Sequence, residues 1–156
     1  MHGSDTLRTI KTRVFGETEV SDENLIKFPD GILGFEFIKE YYLLDISDTP
    51  FYSLQAADCP EVAFILIQPD TFMNNYKLQV SRADYSQIGL KGKKDVLDFA
   101  IVTVPKDPAE MTANLQGPII VNRHTRIARQ VISLNDDYCT KHPILPALRE
   151  KNRGGE

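Results

Sequence analysis

The residues that could bind a metal ion are too scattered along the sequence to predict a metal site. The soft ligands are Cys59, His124, Cys139 and His142. Cys139 and His142 have a spacing found within zinc sites, but a structural site needs a second pair, and Cys59 and His124 lie 65 positions apart. We therefore expect reduced cysteines, no metal and no other cofactor.

The sequence also lacks the patterns typical of catalytic sites. It contains no G-x-S-x-G nucleophile motif, no P-loop and no G-x-G-x-x-G dinucleotide motif. The adjacent carboxylates Asp136 and Asp137 are a poor acid–base pair, because neighbouring side chains of a strand point to opposite faces. We expect a protein that is not an enzyme and keep a small hydrolase as an alternative.

Two basic segments suggest nucleic-acid binding but lack its supporting features. Gly89 and Gly92, followed by two lysines, are similar to the G-x-x-G clamp of KH domains, but that clamp lies between two helices. Arg123, Arg126 and Arg129 form a basic turn without the interleaved aromatic residues of a base-stacking surface. Direct RNA binding is kept as an alternative, and we expect no direct contact with nucleic acid.

The composition fits one globular domain with an uneven charge distribution. The chain has 156 residues, of which 42% are hydrophobic and 26% charged, with a net charge of −4. Residues 1–78 contain 6 Lys/Arg and 13 Asp/Glu, whereas residues 79–156 contain 12 and 9. An acidic half could attract a basic partner. The longest apolar run, residues 62–67, is too short to span a membrane, and no signal peptide is evident, so we expect a cytoplasmic protein.

The elements that would position any site are short strands. Alternating apolar residues bounded by Gly, Pro and Asp predict about ten strands and an all-β barrel-like or sandwich domain. The predicted strands cover residues 7–15, 18–20, 25–28, 41–46, 51–55, 62–67, 77–80, 96–104, 112–115, 119–122 and 127–134. Gly16 and Glu17 are expected to form the turn of the first hairpin.

One short helix is predicted over residues 81–88. Ser81 can cap its first turn, with Asp84 three residues later as in a capping box, and Gly89 can end it in the left-handed conformation. We expect residues 1–6 to be a flexible start, residues 7–145 to form a single domain, and residues 146–156 to be a disordered polar tail.

Several segments together resemble the flagellar assembly factor FliW family. They are residues 26–36 (IKFPDGILGFE), 48–55 (DTPFYSLQ), 102–105 (VTVP), 112–122 (TANLQGPIIVN), 130–132 (QVI) and 138–144 (YCTKHPI). The resemblance extends from about Leu7 to Leu145. It departs from the family at Gln68, where asparagine is common, and at Leu33, where proline often precedes the glycine.

The resemblance implies a β-barrel-like cytoplasmic domain with two protein partners and no cofactor. One partner is CsrA, an RNA-binding translational regulator that represses flagellin synthesis, and the other is flagellin itself. Flagellin that accumulates would displace CsrA, which then represses its mRNA. An acidic half suits a basic partner such as CsrA, and amphipathic flagellin helices would need an apolar groove.

The candidate partner-binding residues lie in the two most specific segments. They are Phe28, Pro29, Ile32, Phe35, Asn114, Leu115, Pro118 and Ile119. We expect Ile32, Phe35, Leu115 and Ile119 to line a groove for flagellin. Phe35 and Phe37 follow Gly34 in a loop, so one of the two could be an exposed anchor.

Overall fold

A computed structural model describes residues 7–146 as a domain built mainly from β-strands. The predicted flexible start and nearly all of the predicted tail, residues 1–6 and 147–156, lie outside the described part. The strands are β1 Arg8–Thr12, β2 Gly16–Val20, β3 Leu25–Lys27, β4 Glu40–Asp45, β5 Phe51–Ala56, β6 Ala63–Ile67, β7 Val96–Thr103, β8 Thr112–Asn122, β9 Ala128–Gln130 and β10 His142–Pro143. The helix α1 covers Arg82–Gln87, and 3-10 turns cover Asp22–Asn24, Pro69–Thr71 and Pro108–Glu110.

Eight of these strands form one antiparallel sheet that curls back on itself. Its order is β3-β4-β5-β6-β7-β8, and the far edge of β8 pairs with β10 near its start and with β9 near its end. The amide of Lys27 in β3 donates a 3.0 Å hydrogen bond to the carbonyl of Arg126, just before β9. Lys27 and Ile127 also form a parallel bridge. These contacts join the two ends of the sheet and confirm the prediction of a barrel-like all-β domain.

The barrel interior is filled by every second residue of the strands, as strand geometry requires. Two aromatic pairs meet edge to face there, Phe28 with Tyr41 and Tyr52 with Phe99, each with ring centroids 5.3 Å apart. The fully buried members of this core include Ile26, Phe28, Ile32, Tyr41, Leu54, Leu66, Phe99, Ile119 and Val121.

Two elements cover the outer faces of the strands. The β1–β2 hairpin packs Ile10 and Val20 against the outward residues of β4, and α1 packs Tyr85 near Ile120 of β8. Consecutive residues of β8 are therefore buried on both faces. This explains why its sequence is an apolar run rather than an alternating pattern.

The helix prediction is confirmed. The side chain of Ser81 accepts a 3.1 Å hydrogen bond from the amide of Asp84, so it caps the first turn. Gly89 follows the helix with φ of +80°, the left-handed conformation that glycine adopts without strain.

Five of the predicted strands differ from the structure. Residues 77–80 form no strand: Leu78 and Val80 pack beside α1, and the one backbone sheet-like bond there joins Gln79 to Leu134. An extended segment buried on one side shows the same alternation as a strand.

The bounds of other strands also differ. The predicted strands 112–115 and 119–122 are one strand, β8, while β9 is much shorter than residues 127–134. The first hairpin turns at residues 13–15, and Gly16, with φ of +69°, already begins β2.

Candidate functional site

Strand β8 contains an enlarged β-bulge at residues 115–118, which we call the β8 excursion and which shapes the candidate site. Phe99 of β7 faces Ile119, and Ile101 faces Asn114, so a single residue of β7 lies opposite the four residues 115–118. The side-chain oxygen of Asn114 accepts hydrogen bonds from the amides of Gln116 (3.0 Å) and Gly117 (2.9 Å). Asn114 thereby satisfies amides that the sheet leaves unpaired, and Gln116 is exposed at the tip of the excursion.

The loop of residues 28–38 forms the opposite wall. Gly31 has φ of +70°, and a Cβ atom there would lie 2.5 Å from the Cα of Glu36, so only glycine fits. Two further turns follow, with the amide of Phe35 bonded to the carbonyl of Ile32 (2.7 Å) and the amide of Ile38 bonded to the carbonyl of Phe35 (3.0 Å). The loop therefore has a defined conformation although it is not a strand.

The aromatic and apolar residues of this loop alternate between core and surface. The Phe35 ring packs edge-on against Phe64 of β6, with centroids 5.2 Å apart. Leu33 and Phe37, on either side of it, are 80% and 73% exposed. Of the two phenylalanines considered as an exposed anchor, Phe37 is the exposed one.

Gln130, the last residue of β9, joins the loop to the β8 excursion. Its side-chain oxygen accepts a 3.0 Å hydrogen bond from the amide of Leu33, and its side-chain nitrogen donates a 3.2 Å bond to the carbonyl of Gly117. Beside this bridge lies an open cavity of about 390 Å³, which we call the Leu33 cavity. Its lining includes Leu33, Glu36, Asn114, Gln116, Gln130 and Ile132.

The rim of the Leu33 cavity combines apolar side chains with carboxylates. Ile132 is 66% exposed and lines the same cavity as Leu33, so it offers a second apolar contact surface. The amide of Gly34 donates to the Glu36 carboxylate (3.1 Å), and this bond is the main reason that the pKa of Glu36 is lowered. The Arg129 guanidinium pairs with Asp30 of the loop and with Asp84 of α1, which leaves its charge balanced.

A second depression lies at the end of the same loop. It has a volume of about 420 Å³ and is lined by Phe37, Ile38, Lys39, Glu40, Asp58 and Cys59; we call it the Phe37 groove. The carbonyl of Glu40 accepts a 3.0 Å bond from the amide of Ala57, which holds the segment before Asp58 beside β4. Glu40 and Asp58 are both exposed, so this groove has an acidic border.

The structure buries most of the eight predicted partner-binding residues and divides them between two core clusters, and of the eight Asn114 lines the Leu33 cavity. Five lie in the interior with buried side chains: Phe28, Ile32, Leu115, Pro118 and Ile119. Pro29 is exposed, and Phe35 and Asn114 are partly buried. Partner binding by these residues stays a prediction.

The predicted groove of Ile32, Phe35, Leu115 and Ile119 does not form. Ile32, Leu115 and Ile119 are at most 1% exposed because their side chains fill the space between strands. The open surface nearby is made instead by Leu33, Gln116, Gln130 and Ile132, which sequence reasoning missed. The exposure of Ile132 could not be predicted from the sequence. In residues 131–134 the structure buries Val131 and the polar Ser133 but exposes the apolar residues Ile132 and Leu134, so hydrophobicity does not identify the outward side chains.

The other candidate motifs are structural elements in this fold. Gly89 ends α1, and residues 90–95 connect it to β7.

The cysteines form no disulfide: Cys59 and Cys139 are both free. Within residues 7–146, no group of three or more His, Cys, Asp or Glu side chains is placed to hold a metal ion. In that same range no helix has the length and apolar character needed to cross a bilayer.

Comparison with known proteins places the whole described barrel in one family. The family model of the FliW protein matches residues 9–144. The flagellar assembly factor FliW of Leptospira biflexa is 43% identical over 144 residues, covering 91% of this chain and 94% of that protein. The flagellar assembly factor FliW of Treponema denticola is 39% identical over 144 residues, covering 92% and 98%.

A solved structure agrees with this assignment. The crystal structure of a flagellar assembly factor FliW superposes with a TM-score of 0.81 at 36% identity, covering 89% of this chain and 98% of that one. The matched range contains both walls of the Leu33 cavity. The chain therefore belongs to the FliW family of flagellar assembly factors.

Proposed function

We propose that this flagellar assembly factor is a cytoplasmic partner switch that catalyses no reaction. In the absence of free flagellin it binds CsrA and prevents CsrA from repressing flagellin mRNA. Flagellin that accumulates then binds to the protein and displaces CsrA. The rate of flagellin translation therefore depends on the concentration of free flagellin. The resemblance to FliW proteins supplies the two partners, and the surface of the barrel suggests where each of them docks.

The observation that carries this proposal is the convergence of the two family segments on the Leu33 cavity. Residues 28–38 and the β8 excursion form its walls, and Leu33 and Ile132 expose their side chains at its rim. An open cavity of about 390 Å³ can accept one or two apolar side chains of an amphipathic helix. Flagellin is the proposed occupant, because its terminal segments are amphipathic helices.

Charge favours a surface in the first half of the chain for CsrA. Residues 1–78 carry 13 acidic and 6 basic side chains, and many of the acidic ones are exposed, among them Glu36, Glu40, Asp58 and Glu61. A negative surface accelerates the encounter with a basic protein and suppresses wrong partners.

The direct test is competition on immobilised protein. Purified CsrA from the same organism should be retained, and added flagellin should release it, whereas an unrelated protein of similar size should not. Failure of CsrA to bind, or its full retention while flagellin is also bound, would refute the switch.

Direct RNA binding is a second candidate, favoured by one specific arrangement. The turn after β8 lies against the lysine-rich loop before β7: the amide of Arg123 donates to the carbonyl of Asp95 (2.9 Å), and His124 Nε2 lies 3.3 Å from the Asp95 carboxylate. Lys91, Lys93 and Lys94 are exposed in that loop. Binding of flagellin leader RNA in a gel shift without CsrA, weakening steeply with salt, would favour this candidate.

A further inference from the structure

We propose that the Phe37 groove is the docking surface for the basic partner, and that this partner and the apolar partner at the Leu33 cavity exclude each other by direct overlap. The proposal rests on the proposed function and specifies how the switch works. It assigns one anchor residue to the basic partner and selects steric competition over a conformational change.

The Phe37 groove combines an exposed aromatic side chain with an acidic border. Phe37 is 73% exposed although the neighbouring Phe35 is packed in the core. Glu40 and Asp58 are exposed in its lining, where Lys39 is the one cation, and Glu36 is the residue before Phe37. The nearby Glu61 is also exposed, but the Arg13 guanidinium donates a 3.1 Å bond to its carbonyl, so the negative charge of the groove comes mainly from Glu36, Glu40 and Asp58. An aromatic side chain surrounded by negative charge complements a basic protein surface that offers an apolar socket.

The loop holds Phe37 in a defined position. The amide of Ile38 is bonded to the carbonyl of Phe35, and the carbonyl of Lys39 accepts a 2.8 Å bond from the amide of Phe28. Because the flanking backbone is already ordered, an incoming partner would have to immobilise little more than the Phe37 ring. Such preorganisation favours binding.

Overlap follows from the distance between the two anchors. Leu33 and Phe37 are four residues apart, so their Cα atoms are separated by at most about 14 Å even in a fully extended chain. A stable protein interface covers about 800 Å² on each partner, which corresponds to a disc roughly 30 Å across. Glu36, the residue before Phe37, already lines the Leu33 cavity. Two partners anchored at Leu33 and Phe37 would therefore occupy the same space.

The first experiment measures each affinity separately with purified CsrA and flagellin. Phe37→Ala should weaken CsrA binding at least tenfold, and Asp58→Lys should lower its association rate. Leu134→Ala, also an exposed apolar position, and Asp136→Lys, an exposed charge reversal in the second half of the chain, are matched controls that should leave CsrA binding within twofold of the parent. Phe37 and Asp58 are exposed, so thermal unfolding should be unchanged in all four variants.

The second experiment distinguishes overlap from a conformational mechanism. The apparent Kd for CsrA is measured at flagellin concentrations up to at least about 1,000 times the flagellin Kd. Direct overlap requires the apparent Kd to rise in proportion to flagellin without a limit, whereas coupling between separate sites reaches a plateau, typically at a factor of about 5 to 150. A plateau, or a ternary complex in size-exclusion chromatography with light scattering, would refute the overlap.

The outcomes separate this inference from the proposed function. If both partners bind and compete but Phe37→Ala and Asp58→Lys bind CsrA like the parent, the docking surface is wrong and the partner switch stands. If the parent protein binds neither CsrA nor flagellin, both proposals fail.

Discussion

The side-chain oxygen of Gln130 accepts a hydrogen bond from the amide of Leu33, a residue 97 positions earlier in the chain. The other end of the same side chain bonds to the carbonyl of Gly117. One amide group thus fixes the relative position of the two segments that carry the resemblance to FliW. The Leu33 cavity depends on this bridge, and its separate parts can be tested.

Replacing Gln130 should loosen the cavity. Gln130→Ala removes both hydrogen bonds and is expected to lower the free energy of unfolding by about 1–2 kcal/mol, as measured by urea denaturation. Gln130→Glu keeps the acceptor for Leu33 but cannot donate to Gly117, so it should lower stability as well and also weaken flagellin binding. Gln87→Ala, at an exposed position in α1, is the control. Parent-like stability of both Gln130 variants would mean that the bridge contributes little.

The two glycines of the loop should respond differently to alanine. Both have positive φ, but a Cβ at Gly31 would collide with the backbone of Glu36, whereas nothing lies within 4 Å of one at Gly34. Gly34→Ala should cost about 1 kcal/mol from backbone strain alone, and Gly31→Ala should cost at least about 3 kcal/mol. Urea denaturation of both variants checks the difference. Equal losses of unfolding free energy in the two variants would show that the Glu36 backbone can move away from a Cβ atom at position 31 without destabilising the fold.

A charge at the rim of the Leu33 cavity should affect binding without affecting folding. Leu33→Asp and Ile132→Asp are each expected to weaken flagellin binding at least tenfold, equivalent to about 1.4 kcal/mol, because a carboxylate would have to be desolvated against an apolar helix. Val104→Asp, at an exposed apolar position outside the cavity lining, should bind like the parent. Isothermal titration calorimetry provides the affinities, and unchanged binding by both cavity variants would remove the cavity from the flagellin site.

Asp98 should make the protein less stable as the pH rises from 4 to 7. Burial on β7, with a smaller contribution from the Asp70 carboxylate, raises its pKa from 3.8 to about 6. The folded protein therefore holds this proton more tightly than the unfolded chain. The resulting stabilisation is complete below about pH 3.8 and is lost as the pH increases through about 6.

Asp98→Asn removes this titration and provides the check. The variant should be more stable than the parent at pH 7, by on the order of 2 kcal/mol, and the difference should shrink as the pH falls to 4. Chemical denaturation of both proteins at a series of pH values measures it. Asp137→Asn, at an exposed position, controls for the loss of one negative charge. A stability difference that does not vary with pH would contradict the burial effect.

Much of the fold could be predicted because its signals are local. Ser81 and Gly89 mark the ends of α1 through hydrogen bonding and backbone preference within a few residues. Alternating apolar residues identify most of the strands for the same reason. The segment at residues 77–80 has the same alternation and is not a strand, because pairing depends on a neighbouring strand that the local sequence does not specify.

The sequence by itself determined most of the strands, the helix caps, the acidic first half and the segments shared with FliW proteins. Only the tertiary structure decided which apolar residues of those segments face outward: Leu33 rather than Ile32, Phe37 rather than Phe35, and Ile132 rather than Val131. Adjacent apolar residues are equivalent until the packed barrel covers one of them. The bridge from Gln130 to Leu33 likewise exists only once β9 has been brought beside the loop.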